Sequence, residues 1–314
     1  MIQPDSERLA AVASASKDLS PFSMGAKRSF VPALGKVVWE LPKTRAAQIP
    51  FDAHICRTTG EQNIGYVRIP HYFCDPNAAN VFEELIAHFE KSTVALVLDQ
   101  VNNPGGSMFY MYALLATLTE KALTLPRHQL ALTDKDASLA AAIVKEAEAG
   151  KTGPSDRPGF EELVAYSRFV LSEIKEGRKK LTNPVHLAGV TEIAPARIHY
   201  TKKIVVLINE RDFSAAEFLA AILQDNKRAT LFGTRTAGAG GCIRPLTTPN
   251  DFGMTITVTW TIAWRTNGQP IQDLGVEPDV AYNITEDDIH SDFASYGNAL
   301  LATIDSLLSP IPGR

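Results

Sequence analysis

From Phe30 onward, short apolar runs alternate with amphipathic stretches, and the two periods predict the elements. Runs at 65–69 (GYVRI), 94–98 (VALVL) and 203–208 (KIVVLI) read as strands, the last of them buried, while 78–90 and 107–123 repeat at helical spacing. Residues 134–150 and 159–180 are rich in Ala, Glu and Lys with a helical period, and a turn-forming segment from Gly150 to Gly159 separates them. This block predicts a helical insertion. Alternation resumes after 203–208 with a helix over 215–223 and a strand over 229–232, followed at once by the Gly-rich loop TAGAGG at 236–241. Between 254 and 264, threonines alternate with apolar residues, the period-2 pattern of one half-buried strand with a polar face. A turn at Leu274-Gly275 leads to a last short strand near Val280, and 292–308 closes as a helix. The predicted class is α/β, with active loops at the carboxyl ends of the strands. Residues 1–28 are small and polar and read as a linker or tail, with a helical turn or two over 7–15.

With 314 residues, 45% hydrophobic and 21% charged, the chain has enough apolar side chains for a large core and is neither fibrous nor disordered in composition. A formal net charge of −4 provides no basic field for phosphates, so nucleic acid is excluded as an expected partner. The three cysteines, Cys56, Cys74 and Cys242, stand at wide spacings without a C-x-x-C pair. They indicate neither a disulfide framework nor a zinc site, and leave a single Cys56–Cys74 bridge open. No cofactor or metal is expected. No apolar run reaches membrane-spanning length, and the first twenty residues lack a secretory apolar stretch. The compartment is therefore unassigned; a precursor with a signal peptide would make the protein secreted or periplasmic.

Candidate chemistry begins at 208–218, INERDFSAAEF, where an apolar strand runs through a short loop to Ser214 at the start of an apolar helix. Serine is a common helix N-cap, its hydroxyl accepting from free N–H groups. The same N–H groups and positive helix end also stabilise an oxyanion, and Ala215 is small enough to leave room for a substrate. A second strand end, 98–107 (LDQVNNPGGS), leads through Gly105-Gly106 into a helix. Paired glycines allow backbone N–H groups to approach a ligand closely, although Gly-Gly also serves plain turns. Two such loops around one serine supply two oxyanion donors.

These segments resemble peptidase family S41, the tail-specific and tricorn-like serine proteases. GYVRIP at 65–70, LDQVNNPGG at 98–106, Ser214 with its helix, RATLFGTRTAGAGG at 228–241 and LGVEPD at 274–279 occur in the family's order. The likeness covers roughly residues 28–290 and is strongest to the group of the chlamydial protease-like activity factor. The resemblance implies a ClpP/crotonase-like spiral core over 29–290; the helical block at about 133–195 reads as an insertion within it, and 291–314 as a C-terminal helix. It also implies a serine endopeptidase with Ser214 as nucleophile and an oxyanion hole built from Ala215 and Gly105 or Gly106. Implied partners are a peptide or protein substrate and a second copy of the chain, with the insertion as a contact surface.

The family's base differs between branches. Tail-specific members place a lysine in the Gly-rich loop; here that position is Ala239, and no lysine follows Lys227. The tricorn-like branch uses a histidine from a more N-terminal segment and a carboxylate just before the Leu-Gly-Val turn. In this chain the carboxylate position is Gln272, which accepts an imidazole N–H bond but carries no charge, with Asp273 beside it and expected to point the opposite way. The histidine is expected on an N-terminal segment of the same protein, upstream of the matched core. Among the histidines present, His71 is the candidate surrogate, because it follows a core strand. His54 and Cys56 form an isolated His-x-Cys pair, and His128, His186, His199 and His290 read as surface or packing residues. Two further readings accompany the peptidase: a non-catalytic pseudoprotease that binds peptides in the old cleft, and a crotonase-type acyl-transferring enzyme without a serine nucleophile.

Overall fold

A computed structural model describes residues 34–42, 51–73, 77–149, 160–246 and 256–309. In chain order, β1 (Lys36–Glu40), β2 (Asp52–Arg57) and β3 (Asn63–Arg68) precede α1 (Asn77–Ser92), β4 (Ala95–Asp99) and α2 (Met108–Ala116). Short strands β5 (Leu123–Thr124) and β6 (Arg127–Leu130) lead to the helices α3 (Asp134–Glu148) and α4 (Phe160–Lys175), then β7 (Glu192–Ile193). β8 (Lys203–Ile208), α5 (Ala215–Asp225) and β9 (Thr230–Gly233) continue the strand–helix alternation. β10 (Ile243–Leu246), β11 (Ile256–Thr259), β12 (Thr261–Trp264), β13 (Val280–Ala281), α6 (Glu286–His290) and α7 (Ala294–Leu308) complete the order.

The main sheet has the order β1-β2-β3-β4-β8-β9-β13. The first three strands are antiparallel neighbours, and β3, β4, β8, β9 and β13 run parallel. All five residues of β4 are buried, as are the last five of β8, because helices cover both faces. Leu96, Leu98, Ile204 and Val206 join Phe82, Phe89, Leu114 and Leu219 from α1, α2 and α5 on one face. Ala95, Val97, Val205 and Leu207 join Tyr296, Leu300 and Ile304 of α7 on the other. Strands buried on both sides read as continuous apolar runs, which is why VALVL and KIVVLI lack polar alternation.

Two predicted elements differ in extent. The helix expected over 107–123 stops at Ala116, where Thr117 bonds Leu114 O through both its N–H and hydroxyl, and the chain then turns into β5. The single strand expected over 254–264 is two strands among the described residues: β11 pairs with β10, and β12 pairs with β6. Trp260 is the changeover, its N–H donating to Cys242 O while its own C=O accepts from Ala131. The Thr/apolar alternation recorded a strand period but not the change of partner. Cys74 and the expected helical turns over 7–15 lie outside the described residues. Among the described residues no helix is long and apolar enough to cross a membrane.

Candidate active site

Parallel strands β3, β4, β8 and β9 deliver four loops to one edge of the sheet: 69–73, 100–107, 209–214 and 234–241. Since β4 and β8 are neighbours, the loop holding Gly105 and Gly106 meets the loop holding Ser214. Asn103 joins them: its C=O accepts from Phe213 N–H at 2.9 Å, and its side-chain oxygen accepts from Gly105 N–H at 2.8 Å. The fully buried Asp212 accepts from Asn103 N–H at 3.1 Å, and from Asn209 N–H and the Gln100 amide at 3.3 Å each. Gln100 also donates to Ala216 O at 2.8 Å and accepts from the Tyr72 hydroxyl at 2.9 Å. Sequence reasoning assigned no role to Gln100, Asn103 or Asp212. Their signal was present as polar side chains where apolar strands end.

Ser214 precedes α5 with φ 53° and ψ −117°. An ordinary N-cap serine sits in the β region, so this residue is held in a strained turn. Only the glutamate half of the Ser214/Glu217 capping box is a hydrogen bond: Ser214 N–H donates to Glu217 at 3.2 Å, while the serine side chain makes no cap hydrogen bond. The expected alternative, a serine that merely closes its helix, does not account for this backbone. Among the described residues, none of the hydrogen bonds of Ser214 goes to a histidine.

Gly105 lies directly against this turn. A Cβ built on it would stand 2.7 Å from Phe213 O, 2.8 Å from Ser214 Cβ and 2.9 Å from Ala215 N, and its φ is 90°. Only glycine allows that approach. Gly106 faces the other way, against Tyr72, where a Cβ would meet the backbone at 2.3 Å. The flanking bonds, Tyr72 N–H to Gly105 O at 2.8 Å and Ser107 N–H to Tyr72 O at 2.9 Å, fasten the loop to the end of β3. Gly105 N–H is engaged by Asn103, whereas the N–H groups of Gly106 and Ala215 have no hydrogen-bond partner among the described residues.

On the other side of Ser214, the Gly-rich loop is held by Glu217, fully buried on the first turn of α5. Its carboxylate accepts from the Thr236 hydroxyl at 2.8 Å, Gly238 N–H at 2.6 Å and Ala239 N–H at 2.8 Å, in addition to Ser214 N–H. Burial pushes its pKa upward, and the four donors pull in the opposite direction. Asp273 N–H in turn donates to Gly238 O at 2.7 Å, which places the turn carrying Gln272 against the same loop. Gln272 Oε1 is buried without a hydrogen-bond partner among the described residues. The expectation that Gln272 and Asp273 point oppositely assumed extended backbone. Asp273 instead has φ 66°, and the Gln272 amide donates to its carboxylate at 3.1 Å.

His71 lies one residue before Tyr72 and is half-buried; Phe73 N–H donates to its Nδ1 at 3.2 Å. Burial, aided by Arg68, lowers its pKa below the usual imidazole value. His54 is 3.9 Å from Glu40 and Cys56 is buried in the same strand; among the described residues no group of three or more His, Cys, Asp or Glu could hold a metal. His128 is a packing residue, 1% exposed, 3.3 Å from Thr261 Oγ1 and with its ring centroid 5.3 Å from that of Phe218 on α5. Burial and the neighbouring His186 lower its pKa from 6.5 to about 4. The unfolded chain therefore binds a proton that the folded ring refuses. Stability is expected to be intact above pH 6.5 and to fall as pH drops from there towards 4, at a slope of up to roughly 1.4 kcal/mol per pH unit. Melting curves across that window should flatten in His128→Gln relative to wild type; parallel curves would assign the loss to other groups.

Comparison with known proteins identifies the family. The model of peptidase family S41 matches residues 63–282. An uncharacterised protein of Chlamydia muridarum is 37% identical over 299 residues, which are 86% of this chain and 49% of that protein. A carboxyl-terminal-processing protease of Synechocystis sp. is 27% identical over 235 residues, 73% of this chain and 40% of its own length. The solved structure of mature CPAF complexed with lactacystin superposes with a TM-score of 0.73 at 34% identity, covering 88% of this chain and 58% of that one. The chain thus spans about half the length of the curated relatives it matches. The family match covers every loop described above, from the end of β3 to the turn at Gln272, and the chain belongs to peptidase family S41.

Proposed function

We propose that this chain is the catalytic portion of a serine endopeptidase, in which Ser214 Oγ attacks the scissile carbonyl and the N–H groups of Ala215 and Gly106 hold the oxyanion. One observation carries the reading: a serine in a strained backbone, packed on a glycine that no other residue can replace, beside two unengaged N–H groups. Gly105 makes the close approach, and Gly106 carries the free donor. In acylation the Oγ–carbon bond forms, the amide C–N bond breaks, and the Oγ proton passes through a base to the departing amine. The base is a histidine from an N-terminal segment of the complete protein, oriented by the orphaned Gln272 Oε1. His71 is the surrogate within the chain. The core follows a ClpP/crotonase-like spiral interrupted by an insertion at about 133–195 and closed by the C-terminal helix α7; the linker expected at 1–28 lies outside the described residues. The chain acts on peptides or proteins and pairs with a second copy.

The test is labelling of the complete protein with a fluorophosphonate and location of the adduct by mass spectrometry. An adduct at Ser214 that is absent from Ser214→Ala supports the reading. A neutral side chain at 272 favours a second one, a pseudoprotease that binds peptides without cleaving them, and an unlabelled complete protein would select it. If Gln272 orients an imidazole, Gln272→Glu adds a charge facing the imidazolium and should raise the labelling rate by roughly tenfold or more. An unchanged rate would remove Gln272 from the catalytic set.

A further inference from the structure

We propose that Glu217 is a positioning residue that couples the Gly-rich loop to the nucleophile turn, setting the backbone of Ser214 through a single carboxylate. The inference rests on the peptidase reading and deepens it. An N3 glutamate of an ordinary capping box reaches back to the N-cap N–H and stays in water. Glu217 does that, yet it is fully buried and spends its remaining acceptor capacity on a loop that leaves a different strand. Oε1 takes the Thr236 hydroxyl and Gly238 N–H; Oε2 takes Ala239 N–H together with Ser214 N–H. One carboxylate oxygen therefore holds the strained serine and the Gly-rich loop at once. Gly238, itself at φ 80°, passes the constraint to the turn of Gln272 through its bond from Asp273. The nucleophile turn, the Gly-rich loop and the Gln272 turn are thus referenced to one side chain, while the Gly105–Gly106 loop is held separately by Asn103 and Tyr72. In sequence the signal was the Ser-x-x-Glu spacing, with a lone acid in the otherwise apolar start of α5.

Burying a carboxylate is costly unless its lone pairs are satisfied, and four donors do that here. An amide of the same shape cannot: its NH₂ group would face at least one backbone N–H that has no other acceptor. Glu217→Gln should thus preserve the packing while releasing either Gly238 or the Ala239–Ser214 pair.

The experiment compares wild type and Glu217→Gln in the complete protein, measuring the saturating rate of fluorophosphonate labelling separately from the half-saturating concentration, with amide hydrogen exchange alongside. The expected result is at least a tenfold drop in the saturating rate, a half-saturating concentration within threefold of wild type, and lost protection confined to Ser214, Gly238 and Ala239. A uniform loss of protection, or an unchanged saturating rate, would overturn the proposal. Should wild type itself remain unlabelled, the peptidase reading fails instead, and exchange decides this one: protection lost locally in Glu217→Gln supports the coupling, and unchanged protection refutes it.

Discussion

Gly105→Ala is expected to lower the rate of Ser214 labelling by at least about 100-fold while the protein remains folded. The added methyl would sit 2.7–2.9 Å from Phe213 O, Ser214 Cβ and Ala215 N, on a residue whose φ of 90° already excludes most side chains. Something must move, and the contacting atoms are backbone and a Cβ, not the yielding end of a flexible chain. The two loops therefore separate by several tenths of an ångström or more, and the N–H groups of Gly106 and Ala215 move apart with them. Oxyanion donors act over a narrow range, and losing one typically costs about 3 kcal/mol. Circular dichroism and melting curves would establish folding, and labelling kinetics would report the site. A folded variant with the wild-type rate would show that the closeness of these loops has no bearing on the serine.

Removing the Asp212 carboxylate should produce the largest loss of stability among the substitutions considered. Asp212 is fully buried and accepts from Asn103 N–H, Asn209 N–H and the Gln100 amide, while its C=O accepts from Ala237 N–H. In Asp212→Ala three donors lose this acceptor; Asn103 N–H keeps Gln100 O, while Asn209 N–H and one hydrogen of the Gln100 amide are left without an acceptor among the described residues. At roughly 1–3 kcal/mol for each buried unsatisfied group, the variant should lose several kcal/mol, and its melting temperature should fall by about 10 °C. Asp212→Asn keeps one acceptor oxygen and should fall between the two. A melting temperature unchanged in the alanine variant would mean that these strand ends are held by something other than this carboxylate.

The predicted sites differ in how far the chain alone could carry them. Ser214, Ala215, Gly105 and Gly106 were visible because each lies within a local pattern: an apolar strand, a short loop, and small residues opening a helix. The division of labour between the two glycines was not visible. Gly105 N–H is engaged by Asn103 and Gly106 N–H is not, a distinction that depends on how β4 lies beside β8. The splitting of 254–264 has the same character, since a period of two describes a strand and says nothing about which neighbour it pairs with. Gln272 and Asp273 were expected on opposite sides because local reasoning took the segment as extended, and a left-handed Asp273 reverses that.

By itself, the order of residues determined the α/β class, the buried strands, the helices α3 and α4, and the place of Ser214 between β8 and α5. Each of those follows from side-chain period and backbone preference within a dozen residues. Only the folded chain decided which loops meet: Asn103 with Phe213, Glu217 with Gly238 and Ala239, and Gly238 with Asp273. These contacts span from 21 residues to more than a hundred in sequence, and they arise because β4, β8, β9 and β13 pair side by side in parallel, which brings the loops at their ends together.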